Sequence, residues 1–242
     1  MAVLLAGCIN IIMADSAYGQ LLDTFTRGES FSSPFGKRKK VTLPDQSTVI
    51  LNSNTTLWLD RKFDRQNRSV RIAGDALFNI KKNSKLFIIH SPHMIVTTTG
   101  AIAKVNAYPE VAGEETLLLK GKLKVIKNYY STLDHEPYFL KEGDMVMMNK
   151  DIDLAEKETF DTKELNVWIE DRFVVKNISL NDLVNKLKNW FNVEIQVKGE
   201  VPGNLRYSGI FDHASLQDIL GGVGKVWNFR YQAHQNIILL KF

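Results

Sequence analysis

Apolar positions follow two periods along this chain, and the change from one to the other divides it. Between residues 41 and 148 they fall in short runs of period two, punctuated by glycine and proline. Residues 41–43 and 48–52 flank Pro44-Asp45-Gln46-Ser47, which predicts a hairpin: proline presets the turn and aspartate can bond its own backbone. Val70 and Ile72 alternate with Arg71 before Gly74 breaks the run ahead of residues 77–80. Runs at 86–89 and 94–97 are parted by Ser91-Pro92. A further pair at 116–119 and 122–126 surrounds Gly121, with Lys120, Lys122 and Lys124 on one face. Phe139-Leu140 and residues 145–148 flank the tight turn Lys141-Glu142-Gly143-Asp144. No helical period of useful length occurs in this region. Many short strands with turn residues between them predict an all-β sandwich or roll.

In the last quarter the period changes, and the sequence repeats itself. Ser179-Leu180-Asn181-Asp182-Leu183 returns 36 residues later as Ser215-Leu216-Gln217-Asp218-Ile219. Apolar residues sit at Leu180, Leu183, Val184, Leu187, Trp190 and Phe191, then with identical spacing at Leu216, Ile219, Leu220, Val223, Val226 and Trp227. Steps of three and four mark amphipathic helices with one buried stripe. Each opens with Ser-x-x-Asp, where serine can take an orphan amide and aspartate suits the positive end of the dipole. Each runs through an asparagine into an alternating strand (Val193-Ile195-Val197, Phe229-Tyr231) and is preceded by a β-rich run at 172–175 or 205–211. The unit is strand, capped helix, strand, made twice. One copy leaves its stripe bare, so the two are expected to pack as one small domain. The fold class is thus mainly β with an α+β C-terminal domain: an all-β sandwich or roll followed by a duplicated strand-helix-strand module. The expected division is 1–36 membrane-proximal segment and spacer, 37–148 β domain, 149–166 polar linker and 167–242 α+β domain.

Composition adds limits. The 242 residues, 44% hydrophobic and 24% charged, suffice for two ordinary cores and argue against disorder. The net charge of +4 is spread along the chain, which does not suggest a nucleic-acid partner. Lys37-Arg38-Lys39-Lys40 is the one basic cluster; touching phosphate or anionic lipid is weighed against a solvated edge, and the solvated edge is favoured. Cys8 is the single cysteine, so no internal disulfide and no cysteine metal site is expected. Residues 2–13 are apolar apart from Asn10, yet a bilayer span needs about 20 residues. They read as the tail of a transmembrane helix begun upstream; the alternative is a lipoprotein pattern at Leu5-Ala6-Gly7-Cys8 with Cys8 lipidated.

Enzymatic chemistry finds little support. His90, His93, His135, His213 and His234 are scattered; His90 and His93 could share a metal only if the proline turn joined them. Asp134-His135 and Asp212-His213 are neighbours in sequence, which does not put them on one face. Gly221, Gly222 and Gly224 lie inside a helix, away from its N-terminus, and suit close helix–sheet approach better than phosphate binding. Trp168, Trp190 and Trp227 suit packing better than a ligand platform. No catalytic residue, cofactor or metal is expected.

An ordered set of motifs resembles a known family. The run from Val41 through Leu43-Pro44-Asp45-Gln46-Ser47 to Asn52 resembles the signature opening of FecR-type regulators, the transmembrane anti-sigma factors of iron and glycan uptake systems. Gly74-Asp75-Ala76-Leu77-Phe78, Phe87-Ile88-Ile89-His90, Gly100 through Val105-Asn106-Ala107-Tyr108, residues 117–125 and Leu140-Lys141-Glu142-Gly143 follow in the family's order. From Trp168 the tail resembles the C-terminal domain accompanying FecR domains in the Bacteroides group, similar in fold to the secretin and TonB short N-terminal domain. The residues carrying the signature are Leu43, Pro44, Asp45, Asn52, Gly74, Gly100, Asn106, Gly143 and Trp168.

The resemblance implies a periplasmic signal receiver, tethered to the inner membrane in its full-length form. Its partner would be the signalling domain of an outer-membrane TonB-dependent transporter. Docking of that domain would lead to proteolysis and release of an extracytoplasmic-function sigma factor, bound through a cytoplasmic segment absent from this sequence. The alternative is a periplasmic lipoprotein or assembly module using the same domains without a sigma pathway. Two departures stand out. Gln46 replaces the usual glycine, costing roughly 1 kcal/mol if the turn needs a left-handed residue. Ala101 replaces the threonine that, in self-cleaving members, attacks the preceding glycine carbonyl; a methyl group cannot do this. For docking, residues 237–241 read as an edge strand, and Tyr231, Ile237 and Leu239 are the expected contact residues.

Overall fold

The computed structural model describes residues 28–65, 68–133, 136–234 and 236–242. Strict alternation of burial marks several strands of the first two thirds: residues 55–59 and 101–107 each read buried, half-buried, buried along their length. Each strand so patterned turns one face to a core and the other outward. Two layers result. One is formed by β1 (Ser30–Ser33), β4 (Thr55–Leu59), β5 (Arg68–Ile80), β6 (Phe87–His90), β7 (Met94–Thr98), β10 (Leu123–Lys127) and β11 (Tyr138–Leu140). The other is formed by β2 (Lys39–Thr42), β3 (Thr48–Leu51), β5 again, β8 (Ala101–Ala107), β9 (Gly113–Gly121), β12 (Asp144–Asn149) and β13 (Leu154–Thr159). All pairings are antiparallel except β5–β6. Leu57, Val70, Phe78, Phe87, Val105 and Leu118, from both layers, meet in one core.

The layers share β5, whose first half pairs with β4 and β6 and whose second half pairs with β3 and β8. It changes layer at Gly74, which has φ 122°. A Cβ there would stand 2.4 Å from Thr55 Oγ1, so the backbone approach itself requires glycine.

The hairpin forms where expected, between β2 and β3. The Gln46 N–H donates to the Leu43 carbonyl at 2.9 Å and the Leu43 N–H to the Ser47 carbonyl at 2.8 Å. This is a tight turn closed by a left-handed residue, Gln46 with φ 67°.

The segment 149–166, expected as a linker, instead carries β13 and the start of a helix. β13 is an outer strand whose side chains are mostly exposed, so it shows no apolar alternation in sequence. Main-chain pairing to β12 and the Lys157–Asp144 ion pair (2.7 Å) hold it. β1 is likewise a strand within the segment expected as spacer. The helix α1 (Lys163–Glu170) follows and buries Leu165 and Trp168.

The C-terminal part then runs β14 (Arg172–Ile178), α2 (Leu180–Phe191), β15 (Glu194–Lys198), β16 (Tyr207–Asp212), α3 (Leu216–Trp227), β17 (Arg230–His234) and β18 (Ile237–Lys241). The duplication is real in space. The first strands of the two copies, β14 and β16, pair with each other; the later strands form a second sheet ordered β15-β18-β17. Ser179 and Ser215 cap their helices, the second with a complete capping box, and Asn192 and Asn228 end them in left-handed conformations. The apolar stripes are buried as expected except at Val226, which is 65% exposed, while Gly224 is buried in its helix. Gly224 and Gly222 allow close approach to Phe229 and Phe211; Gly221 faces open space. Leu77, Ile50, Ile102 and Phe35, from the β layers, join the core of the C-terminal domain, so the two parts share apolar surface.

Since Gln46 is exposed and its turn is left-handed, Gln46→Gly is expected to raise stability by roughly 0.5–1 kcal/mol, the gain being reduced by the freer unfolded chain. Urea denaturation checks this; an unchanged or lower midpoint would contradict the strain.

Candidate functional site

The signature residues fall into connected polar networks that stitch the layers together. Asp45 projects from the hairpin turn. Its carboxylate accepts the Ser47 N–H (3.0 Å) and hydroxyl (2.8 Å), and Arg68 Nη1 donates to it at 3.0 Å. The side chains of Arg68 and Asp45 are 0% and 1% exposed. A buried guanidinium needs acceptors for all its donors. The carbonyls of Lys81 (2.8 Å), Lys85 (3.2 and 2.7 Å) and Thr99 (3.1 Å) supply them, and the ring of Phe87 lies 5.4 Å away. Leu43 is a core residue beneath this turn, and Pro44 is exposed on it.

A second network starts at Asn52. Its N–H donates to the Asp75 carbonyl (2.8 Å) and its Nδ2 to the Asp75 carboxylate (2.9 Å), just after the Gly74 crossover. The other Asp75 oxygen faces Lys104 Nζ at 3.3 Å, and that ammonium stands 5.4 Å from the Trp168 ring. Trp168 is also covered by Arg38, whose guanidinium carbon lies 3.8 Å from its centroid and 4.7 Å from that of Trp190. Arg38 Nη1 donates to Asp171 Oδ1 (2.6 Å) and Nη2 to the Trp168 carbonyl (3.0 Å). Asp171 closes α1 in a left-handed conformation and donates its own N–H to the Trp168 carbonyl, so the cation meets a carboxylate and a second side of that carbonyl at the negative end of a helix. The Arg38 side chain is 3% exposed and its Nε–H has no acceptor among the described residues. Burial pushes this guanidinium down to about 10, against the pull of Asp171 and Asp75.

The basic cluster 37–40 therefore differs from both readings its sequence invites. Lys37, Lys39 and Lys40 are exposed, but Arg38 is inserted between two tryptophans of the C-terminal part. Its partners lie 130 and 133 residues away, and nothing local signals them.

The remaining signature residues also have defined places. The Gly100 N–H donates to Thr98 Oγ1 at 3.0 Å, and a Cβ at Gly100 would meet Lys82 Cα at 2.7 Å. Ala101 is buried at the start of β8, opposite Gly121. Asn106 Nδ2 donates to Glu115 at 3.4 Å, and Gly143, with φ 85°, donates its N–H to the Leu118 carbonyl at 2.9 Å. A groove of about 900 Å³ lies between the second layer and the C-terminal domain, lined in part by Asp75, Lys104, Asn106, Glu115, Trp168 and Asn192. In it Lys104 faces Asp75 and Glu115, Lys188 pairs with Glu194 at 2.6 Å, and Lys186 donates to the Val174 carbonyl.

The edge placement expected for residues 237–241 needs correction. β18 is the central strand of its sheet, not an edge: β15 runs parallel on one side and β17 antiparallel on the other. Sequence position at a terminus does not set position in a sheet, and the outer strands are β15 and β17. Ile237, 43% exposed, and Leu239 alternate with buried Ile238 and Leu240 and face outward. Tyr231 pairs with Leu240, packs against the core and lies on the outer strand β17.

His90 and His93 have different partners. The His90 ring is 3.0 Å from the Ser69 hydroxyl, whereas His93 stands beside Glu114, with Nδ1 3.3 Å from its carboxylate. Burial pushes the Glu114 carboxyl up to about 7 despite hydrogen bonds from the Ser91 hydroxyl and the His93 N–H. His213 turns to Asp171 while Asp212 pairs with Arg172. Trp227 is packed and donates Nε1–H to the Arg206 carbonyl. Among the described residues no group of three or more His, Cys, Asp or Glu could hold a metal, and no helix is long and apolar enough to cross a membrane. Residues 2–13 with Cys8, and Asp134 with His135, lie outside the described residues.

Comparison with known proteins agrees with this arrangement. Residues 29–124 match the family described as FecR protein, and residues 172–240 match FecR, C-terminal. Two crystal structures of a candidate anti-sigma factor from Parabacteroides distasonis ATCC 8503, at 1.65 and 2.50 Å, share the fold. Each is 23% identical, with TM-score 0.59, covering 88% of this chain and 98% of that chain. No curated protein matches the chain.

Breaking the Arg68–Asp45 pair from one side leaves a buried charge alone. Arg68→Met is expected to cost about 3–5 kcal/mol. Adding Asp45→Asn should recover part of that loss, because the two substitutions are coupled. A double-mutant cycle by chemical denaturation checks it; additive losses would show that the pair does not act as a unit.

Proposed function

The chain belongs to the FecR family, and from that premise we propose that it is the periplasmic signal-receiving part of a membrane-tethered anti-sigma factor. The observation that carries this reading is the succession of both FecR domains in one chain, packed against each other through a shared core. The signal would come from a TonB-dependent transporter of the outer membrane, whose substrate is an iron chelate or a glycan. Its occupancy would be relayed to an extracytoplasmic-function sigma factor.

The C-terminal domain has the surface such a contact needs. Strand β17 has a neighbour on one side only among the described residues. An added strand gains affinity from main-chain pairing and specificity from side chains on both faces. Beside β17 these would be Tyr231 on the inner face and Ile237 and Leu239, one strand over, on the outer face. Titrating isotope-labelled protein with the transporter's purified signalling domain is expected to shift amides between 230 and 242. Shifts confined to residues 30–159, or no binding, would overturn the docking site.

The signal is proposed to pass without self-cleavage. Attack on the Gly100 carbonyl from the following residue needs a hydroxyl, and Ala101 offers a buried methyl group. Thr98, on the other side, is engaged: its hydroxyl donates to the Lys122 carbonyl at 2.8 Å and accepts the Gly100 N–H. After prolonged incubation, intact-mass measurement should find an uncut chain. A fragment ending at Gly100 would refute this.

A further inference from the structure

The five residues from Pro34 to Arg38 connect β1 in one layer to β2 in the other, and they are fastened to all three helices of the C-terminal part. Phe35 packs on the C-terminal core. The Gly36 carbonyl accepts the N–H of Leu216 at 2.8 Å, satisfying an orphan donor in the first turn of α3. The Gly36 N–H donates back to Ser53 Oγ in the β layers at 2.9 Å. Gly36 has φ 69°, and a Cβ there would press within 3.1–3.2 Å of Gln217 and Leu216, so the contact is built for glycine. Two residues on, Arg38 binds the carbonyl and carboxylate ending α1 and stacks on Trp190 of α2. The connection is itself a turn, with the Lys37 N–H donating to the Pro34 carbonyl (3.2 Å) and Ser33 Oγ to the Lys37 carbonyl (2.9 Å).

We propose that residues 34–38 act as a strap which the C-terminal helices hold down, so that displacement of those helices loosens the strap and, with it, β1. The reason is geometric. β1 is four residues long and, among the described residues, pairs with β4 alone, so it has little hold of its own. The strap's polar anchors are divided between partners that belong to the other domain and two, Ser33 and Ser53, that belong to its own. Moving α1 and α3 away removes the acceptors of Arg38 and the donor to Gly36 together. A charged side chain left without its acceptors in that seam cannot stay buried. Coupling of this kind is reciprocal: loosening the strap must also loosen the first turn of α3. The proposal rests on these contacts and not on the identity of any docking partner.

Hydrogen exchange of the full chain, followed by mass spectrometry, tests it. Arg38→Lys keeps the charge but loses the bidentate and stacked geometry. Exchange is expected to quicken at least tenfold both in residues 30–38 and in the first turn of α3, with β7 and β10 unchanged. Gly36→Ala, which acts from the opposite end, should produce the same paired response. If only one of the two segments quickens, if neither does, or if the whole chain quickens equally, the coupling does not exist. Asp171→Asn provides a milder variant should either substitution fail to fold, and it is judged by the same paired response. Limited trypsin digestion gives an independent reading: the Lys37–Lys40 bonds should be cut at least tenfold faster in the Arg38→Lys chain. An unchanged cutting rate at these bonds would overturn the proposal.

Discussion

A guanidinium can leave water only where the chain brings it acceptors, and meeting that demand, in full at Arg68 and for all but one donor at Arg38, is what relates the parts of this molecule. At Arg68 the acceptors come from the hairpin turn, the loop after β5 and the end of the strand-to-strand connection at Thr99. These segments close one end of the two-layer core, so Arg68 fixes their mutual placement as well as filling space. Replacing such a site with apolar side chains can preserve stability, so its value here lies in specifying one arrangement of loops. At Arg38 the acceptors come from a different domain, and the same chemistry fixes a domain interface instead of a turn.

Between these two sites runs β5, the strand common to both layers. Its crossover at Gly74 brings the next residue, Asp75, within reach of Asn52, Thr55 and Lys104. Lys104 in turn faces the ring of Trp168, so the carboxylate at the bend is connected by direct contacts to the clamp on Arg38. The family's signature residues Asp45, Asn52, Gly74 and Trp168 thus mark the joints of the framework.

How much of this the sequence reveals depends on whether the cause is local. The capped helices α2 and α3 were legible because serine caps, apolar steps and asparagine ends all lie within one element. The hairpin was legible for the same reason, down to the left-handed demand at Gln46. Strands β1 and β13 were not, since an outer strand with exposed side chains is held by main-chain pairing that leaves no apolar pattern. Helix α1 was hidden by its brevity. The order β15-β18-β17 was misjudged because a terminal run carries no mark of whether strands will flank it on both sides. Arg38 looked like one more lysine-rich edge because its acceptors and stacking partners are supplied by a distant part of the chain.

The one failure within the repeat explains how the two copies came to differ in role. Trp190 and Val226 occupy equivalent positions, 36 residues apart, yet one is buried and the other exposed. In the first copy the side chain belongs to the core of the C-terminal domain, whereas in the second it lies outside it. Trp190 of the first copy meets Phe173 of that core in edge contact at 5.6 Å and is covered from outside it by Arg38. In the second copy no such cover exists among the described residues, and the residue there is a small aliphatic. A tryptophan so exposed would leave a large apolar face in water, so its presence in α2 makes sense only with the arginine in place. The second copy contributes instead the free amide of its first turn, donated to Gly36, and the outer strand β17. The duplicated module has thereby divided its work at this seam: the first copy stacks a tryptophan on Arg38, and the second donates a backbone amide to Gly36.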